Sequence, residues 1–183
     1  MIINTLCEHY ERLLDDEVSE VSRPDHSKAR VSFAAILAPT GELVNLIDLR
    51  EQKGKKLVAR DIIVPAQVKR ASGVAANFLC DNCVYMFGIA RKDGKDKKDK
   101  IKQAFAAFSG LHREILGAVD DEGARAVLAF LENWDIASAE SNLVIKKLID
   151  DIGEGGNIVF RLQGDNQYIH ERKHVVQAWS AYC

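Results

Sequence analysis

Residues 30–50 read RVSFAAILAPTGELVNLIDLR, and this stretch constrains the fold more than any other. Val31, Phe33, Ala35 and Leu37 recur at every second position. A period of two is that of a β-strand with one face buried. Pro39, Thr40 and Gly41 then supply turn chemistry, since proline fixes φ and glycine tolerates positive φ. A second apolar run, ELVNLIDL, follows directly. Strand, turn and strand in this order predict an antiparallel hairpin, so the fold contains a sheet.

Helical periodicity accounts for much of the rest. Ile3, Leu6, Tyr10, Leu13 and Leu14 predict an amphipathic helix over residues 2–15, stopped before Pro24. Ile101, Ala104, Phe105, Phe108, Leu111 and Ile115 predict a second helix, led in by the polar spacer RKDGKDKKDK. Ala124, Val127, Leu128, Leu131 and Trp134 predict a third, starting near Asp121. LVIKKLIDDIG reads as one helix ending at Gly153, and HVVQAWSAYC as another with Val175, Trp179 and Tyr182 on one face. Between these, EQKGKK reads as a basic loop and residues 58–64 as a short strand ended by Pro65. VYMFGIA and NIVFRLQ read as strands from their β-formers. The expected class is α+β: a mixed, mainly antiparallel sheet with a β-hairpin and several packed amphipathic helices.

The chain has 183 residues, 47% of them hydrophobic, enough for a sizeable core in one domain. No apolar run approaches the ~20 residues of a membrane-spanning helix, and the N-terminus shows no basic leader followed by an apolar block. A cytoplasmic protein with no membrane partner is expected. Its four unevenly spaced cysteines are then expected to be reduced thiols.

The net charge of −2 hides an asymmetry. From Arg50 to Arg70 there are seven cations against two anions, and from Arg91 to Lys102 seven against three. These segments total +9, so the rest of the chain carries −11. An acidic body with two basic segments suggests a local anionic partner, although lysine-rich loops can also be merely solvated. Lys53, Lys55 and Lys56 stand in the first segment, and Lys95, Lys97 and Lys98 in the second. Between them lies KRASGVAANFLCDNC, residues 69–83. Lys69 and Arg70 can hold phosphates. Ser72 and Gly73 allow close backbone approach, and Gly73 can take positive φ. Asn77 and Asn82 carry amides able to donate to and accept from a base edge. The alternative is a network of Asx turns stabilising a long loop.

Two metal-like motifs compete for attention. Cys80 and Cys83 form C-x-x-C, but Cys7 and Cys183 lie at opposite ends of the chain and no second pair exists. A structural zinc needs four ligands, so Cys80 reads as a small core residue beside a turn. HERKH, from His170 to His174, matches H-E-x-x-H, with Glu171 as the general base of a zinc-dependent hydrolase. The nine residues after it hold no further His, Asp or Glu, and His170 follows so closely on a strand that it can precede the helix. GEGGN follows a helix and precedes a strand, the reverse of a phosphate loop, and reads as a cap and turn. His9, His26 and His112 are isolated. His112 lies beside an apolar stripe and reads as a partly buried structural residue. Asp81 has no evident catalytic partner. No metal, cofactor or catalytic residue is assigned.

Several segments together resemble a known family. LCEHYERL, VSFAAILAPTGELVNLIDLR, PAQVKRASGVAANFLCDNCVYMFG, LHREIL, LAFLENW and NIVFRLQGDNQYIHER stand in an order similar to that in the large subunit of the type I-C (Dvulg subtype) CRISPR interference complex. The likeness covers almost the whole chain, and K-R-x-S-G-x-x-x-N-F-L-x-D-N is its most specific block. It implies that residues 1–183 form a single N-terminal domain of a longer protein, cut short at its C-terminal end. It implies a non-catalytic subunit that recognises the short motif flanking a double-stranded DNA target, aids duplex opening and helps recruit the helicase-nuclease. The implied partners are CRISPR RNA, the backbone subunits and the small subunit. The DNA-contacting loop would be the block holding Lys69, Arg70, Ser72, Gly73, Asn77, Asp81 and Asn82. Cys80 departs from the family pattern, which is expected to have an aromatic or other residue before Asp81.

Overall fold

The computed structural model describes residues 23–70 and 73–183. The helix expected over residues 2–15 lies outside the described residues, as do Cys7 and His9. Strand β1, His26–Leu37, is the spine of the sheet. Its C-terminal half pairs antiparallel with β2, Leu43–Asp48, from Phe33↔Asp48 to Leu37↔Leu43. Its N-terminal half pairs antiparallel with β5, Arg60–Pro65, from His26↔Pro65 to Val31↔Arg60. The parallel strand β7, Asn157–Leu162, runs beside residues 31–37, and the two-residue β6, Cys80–Asp81, pairs antiparallel with β7. The sheet is mixed and mainly antiparallel, the class expected.

The hairpin turn closes as its residues demand. Ala38 N–H donates to Glu42 O and Gly41 N–H to Ala38 O, each at 2.9 Å. Gly41 has φ +86°, and a Cβ there would stand 2.5 Å from Phe130 N. The turn is therefore packed against a helix and cannot accept a side chain.

β1 does not keep one parity. Val31 lies in a cluster with Ala29, Ala34, Ile36, Ile62, Val64, Cys80 and Val159. Phe33, Ala35 and Leu37 face the opposite way, with Ile158, Phe160 and Leu162. The expected single face of Val31, Phe33, Ala35 and Leu37 is thus corrected. The pairing with β7 shifts register between Val31 and Phe33, and such a bulge flips side-chain parity. Gly156, at φ +106°, backs onto the bulge so closely that a Cβ would overlap Ser32 Oγ.

Six α-helices are present among the described residues. They are α1, Cys83–Phe87; α2, Lys98–Leu116; α3, Glu122–Asn133; α4, Leu143–Lys146; α5, Ile149–Gly153; and α6, Lys173–Tyr182. α2 matches its expected stripe; α3 does so up to Leu131, with Trp134 at its C-cap, and α6 buries Val175 and Trp179 but leaves Tyr182 exposed. Asp121 caps α3, its Oδ1 accepting from Ala124 N–H at 3.0 Å. Phe108 of α2 and Phe130 of α3 both meet Phe160 of the sheet.

Three local expectations change. VYMFGIA is no strand: Cys83–Phe87 forms the short helix α1, capped by Asn82 and closed by Gly88 in the left-handed region. All five of its residues are buried. Burying a large apolar side chain stabilises by roughly 1.5–3 kcal/mol, against a β-propensity range of about 1 kcal/mol, so packing overrides propensity. EQKGKK is not a loop but a two-stranded ribbon, β3 Glu51–Lys53 and β4 Lys56–Val58, turning at Gly54. LVIKKLIDDIG breaks into α4 and α5 at Leu148, whose backbone leaves helical geometry.

Candidate functional site

The segment between β5 and β6 holds the residues singled out from the sequence. It is braced from within by Asp81, which is fully buried on β6. The Arg70 guanidinium is ion-paired with Asp81 Oδ2. Asn77 N–H donates to the same oxygen at 2.9 Å, and Asn82 N–H to Oδ1 at 2.8 Å. Burial lifts the Asp81 carboxyl above the ordinary aspartate value, while Arg70 and the two amides pull the other way. A cation and two N–H donors converge on its carboxyl group.

Further ties close the loop. Arg70 Nε donates to Ala75 O, and the guanidinium carbon stands 3.9 Å from the Tyr85 ring centroid. Asn77 Oδ1 accepts from Val68 N–H at 2.8 Å, and Gln67 Nε2 donates to Cys80 O at 3.0 Å. Leu79, φ +53°, is a buried non-glycine residue in the left-handed region. Its N–H donates to His112 Nε2 at 3.0 Å, and His112 Nδ1 stands 2.7 Å from Phe108 O. His112 is thus neutral, with the proton on Nδ1, and burial lowers its pKa to about 4. It is fully buried rather than partly so.

The candidate residues fall into three groups. Lys69 and Gly73 are exposed at the outer end of the loop, and Gly73 has φ +91° as its type allows. Ser72 lies outside the described residues. Arg70, Asn77 and Asn82 face the brace: Asn77 is 6% exposed, and Asn82 Oδ1 caps α1 by accepting from Val84 N–H at 3.0 Å. Lys53, Lys55 and Lys56 are exposed on the β3–β4 ribbon, and Lys95, Lys97 and Lys98 on the spacer and first turn of α2. Arg70, Gly73 and Asn82 line a groove of about 340 Å³ with Arg91, Asp96 and Lys100. The sequence reading missed Asp81 as a hub, Tyr85 as the ring against Arg70, and Arg91 and Lys100 as groove residues. Nothing in the spacing of Arg70 and Asp81 announces a pair.

The motif residues take other roles. Cys80 is not in a turn but paired in β6, and Cys83 opens α1. Both are buried free cysteines, and burial pushes the Cys80 thiol up strongly and that of Cys83 to about 12. They are packed as thiols. His170 sits in a 3₁₀ turn, Ile169–Glu171, buried against Ile63 O at 3.1 Å, whereas the exposed His174 lies on α6 against Asp120 O. Glu171 accepts from Tyr168 N–H at 2.9 Å. The H-E-x-x-H residues therefore do not share a helical face. Among the described residues no group of three or more His, Cys, Asp or Glu could hold a metal ion. Nor is any helix among them long and apolar enough to cross a membrane.

Comparison with curated proteins gives no match. The family model described as CRISPR-associated protein (Cas_Csd1) matches residues 6–183. The match spans nearly the whole chain, including the braced loop, both lysine-rich segments and every strand of the sheet, so the chain belongs to the Cas_Csd1 family of CRISPR-associated proteins, a family of Cascade subunits.

Proposed function

We propose that this chain is the DNA-reading part of the large subunit of a type I-C interference complex. In this reading it recognises the motif flanking a double-stranded target, aids duplex opening and helps recruit the helicase-nuclease. It works beside CRISPR RNA, the backbone subunits and the small subunit, and performs no catalysis itself. Guide pairing then reads the target while protein reads the flanking motif. The observation that carries the reading is the braced loop. Asp81 fixes its inner side, Lys69 and Gly73 are exposed, and in sequence the loop lies between two exposed lysine-rich segments. A loop braced at its base before binding loses less entropy when a duplex docks.

In this reading the labour is divided. Lys69 and the lysines of the ribbon and spacer contact phosphates, Gly73 allows close backbone approach, and Asn82 presents its amide from the groove wall. Asn77 acts indirectly, by holding the loop closed. The test is duplex binding by the assembled complex, with correct and incorrect flanking motifs, across a salt series. Lys69→Ala should reduce the salt slope by about one unit. Asn82→Asp keeps a capping acceptor but loses the amide donors, and should erode preference for the correct motif. If both variants bind both duplexes as the wild type does, the assignment is wrong.

A further inference from the structure

We propose that the groove between the braced loop, α1 and the start of α2 seats one backbone phosphodiester, and so joins the two basic segments into one track. This inference rests on the nucleic-acid reading above. Three cations, Arg70, Arg91 and Lys100, line the groove against one carboxylate, Asp96. That carboxylate is committed: Arg91 Nε and Nη2 donate to Asp96 Oδ2 and Oδ1, each at 3.0 Å, and Arg91 N–H also donates to Oδ2 at 3.0 Å. Arg70 is committed in the same manner, through Nε to Ala75 O and Nη2 to Asp81. Each guanidinium thus spends Nε and Nη2 on its own support. Neither Nη1 has a partner among the described residues, and Lys100 makes no ion pair among them.

The consequence is preorganisation. A guanidinium carries five N–H donors in a rigid fork. When two of its nitrogens are anchored, the third is aimed with little rotamer freedom left to lose. Each arginine is paired with its own carboxylate, so two anchored arginines and Lys100 leave a local net charge of +1 at a groove of about 340 Å³. A singly charged phosphodiester, with two free oxygens able to accept from separate donors, matches that arrangement. The occupant is a strand of nucleic acid rather than a free anion, because the groove's lining residues adjoin in sequence exposed Lys69 on the loop and exposed Lys95, Lys97 and Lys98 on the spacer and first turn of α2. A polyanion crossing from one to the other passes over it.

The experiment is again a salt series on duplex binding by the assembled complex. Lys100→Gln removes a cation that makes no ion pair among the described residues, and Lys100→Glu reverses it. Arg91→Gln combined with Asp96→Asn removes the second cation without orphaning its carboxylate. Lys147→Gln, on an exposed residue after α4, is the control. The expected result is a salt slope lower by about one unit for Lys100→Gln and for the Arg91/Asp96 double variant, with Lys100→Glu weaker still and Lys147→Gln unchanged. If Lys69→Ala flattens the slope but the groove variants do not, the groove is not a phosphate seat and the nucleic-acid reading stands. If none of them moves it, both fail.

Discussion

Arg70 and Asp81 meet across eleven residues of chain, with the Arg70 guanidinium against the Tyr85 ring. Asp81 has no exposed side-chain area, and Arg70 keeps 23% of its own. Removing one partner of a buried pair leaves the other charge stranded, at a cost of about 3–5 kcal/mol. Because Arg70 remains partly wet, Asp81→Asn should lower the unfolding free energy by about 3 kcal/mol, near the low end. A urea titration reads this directly. A variant within about 0.5 kcal/mol of wild type would show that the loop does not depend on the pair. The loop was visible in the sequence from its composition, and the Asx alternative describes Asn82, which accepts from Val84 N–H two residues on, but not Asn77, which accepts from Val68 N–H nine residues back. The pairing of Arg70 was not visible. Lys69 and Arg70 are adjacent and chemically alike, and only tertiary packing turns one outward and the other onto a buried carboxylate. The same holds for His112, whose partner is the N–H of Leu79, thirty-three residues away.

At the scale of elements, the bulge in β1 separates the two cores. Ser32 sits where parity reverses, and Gly156 gives it room from the turn before β7. Gly156→Ala would place a Cβ on Ser32 Oγ at a φ that side chains rarely adopt. The expected loss is about 1–3 kcal/mol, by analogy with other strained backbone positions, and it should be read by thermal or urea unfolding. Gly155, at φ +109°, has open space where a Cβ would stand, with nothing within 4 Å. It shares the backbone strain but not the clash, so Gly155→Ala should cost less. Equal losses would place the whole effect in φ. Long periodic elements such as α2 and α3 were legible because one apolar stripe repeats over several turns. The five residues of α1 were not, because a short, wholly buried segment has no polar face to set a period. The β3–β4 ribbon was missed for the opposite reason: its strands are exposed, so no apolar alternation marks them.

On the scale of the whole molecule, two neutral histidines inside the fold set its response to acid. Burial lowers His112 and His170 from the ordinary value of 6.5 to about 4. Between those values the unfolded chain binds a proton at each site and the folded chain does not. Stability is therefore complete above about pH 6.5 and falls as the pH drops towards 4, by about 1.4 kcal/mol per pH unit for each histidine. Urea midpoints at pH 7, 6 and 5 test this, and a flat profile would contradict it. His112→Gln should remove about half of the slope. Taken as a whole, the chain's sequence was enough to determine its α+β class, its hairpin, its principal helices and its charge asymmetry. These follow from periodicity, turn chemistry and composition, all of which act over a few residues. The tertiary structure decided which cations face outward, which amides brace the loop, where β1 changes face and that the H-E-x-x-H residues part company. Those outcomes depend on burial against segments distant in the chain, and burial is a property no local pattern of residues carries.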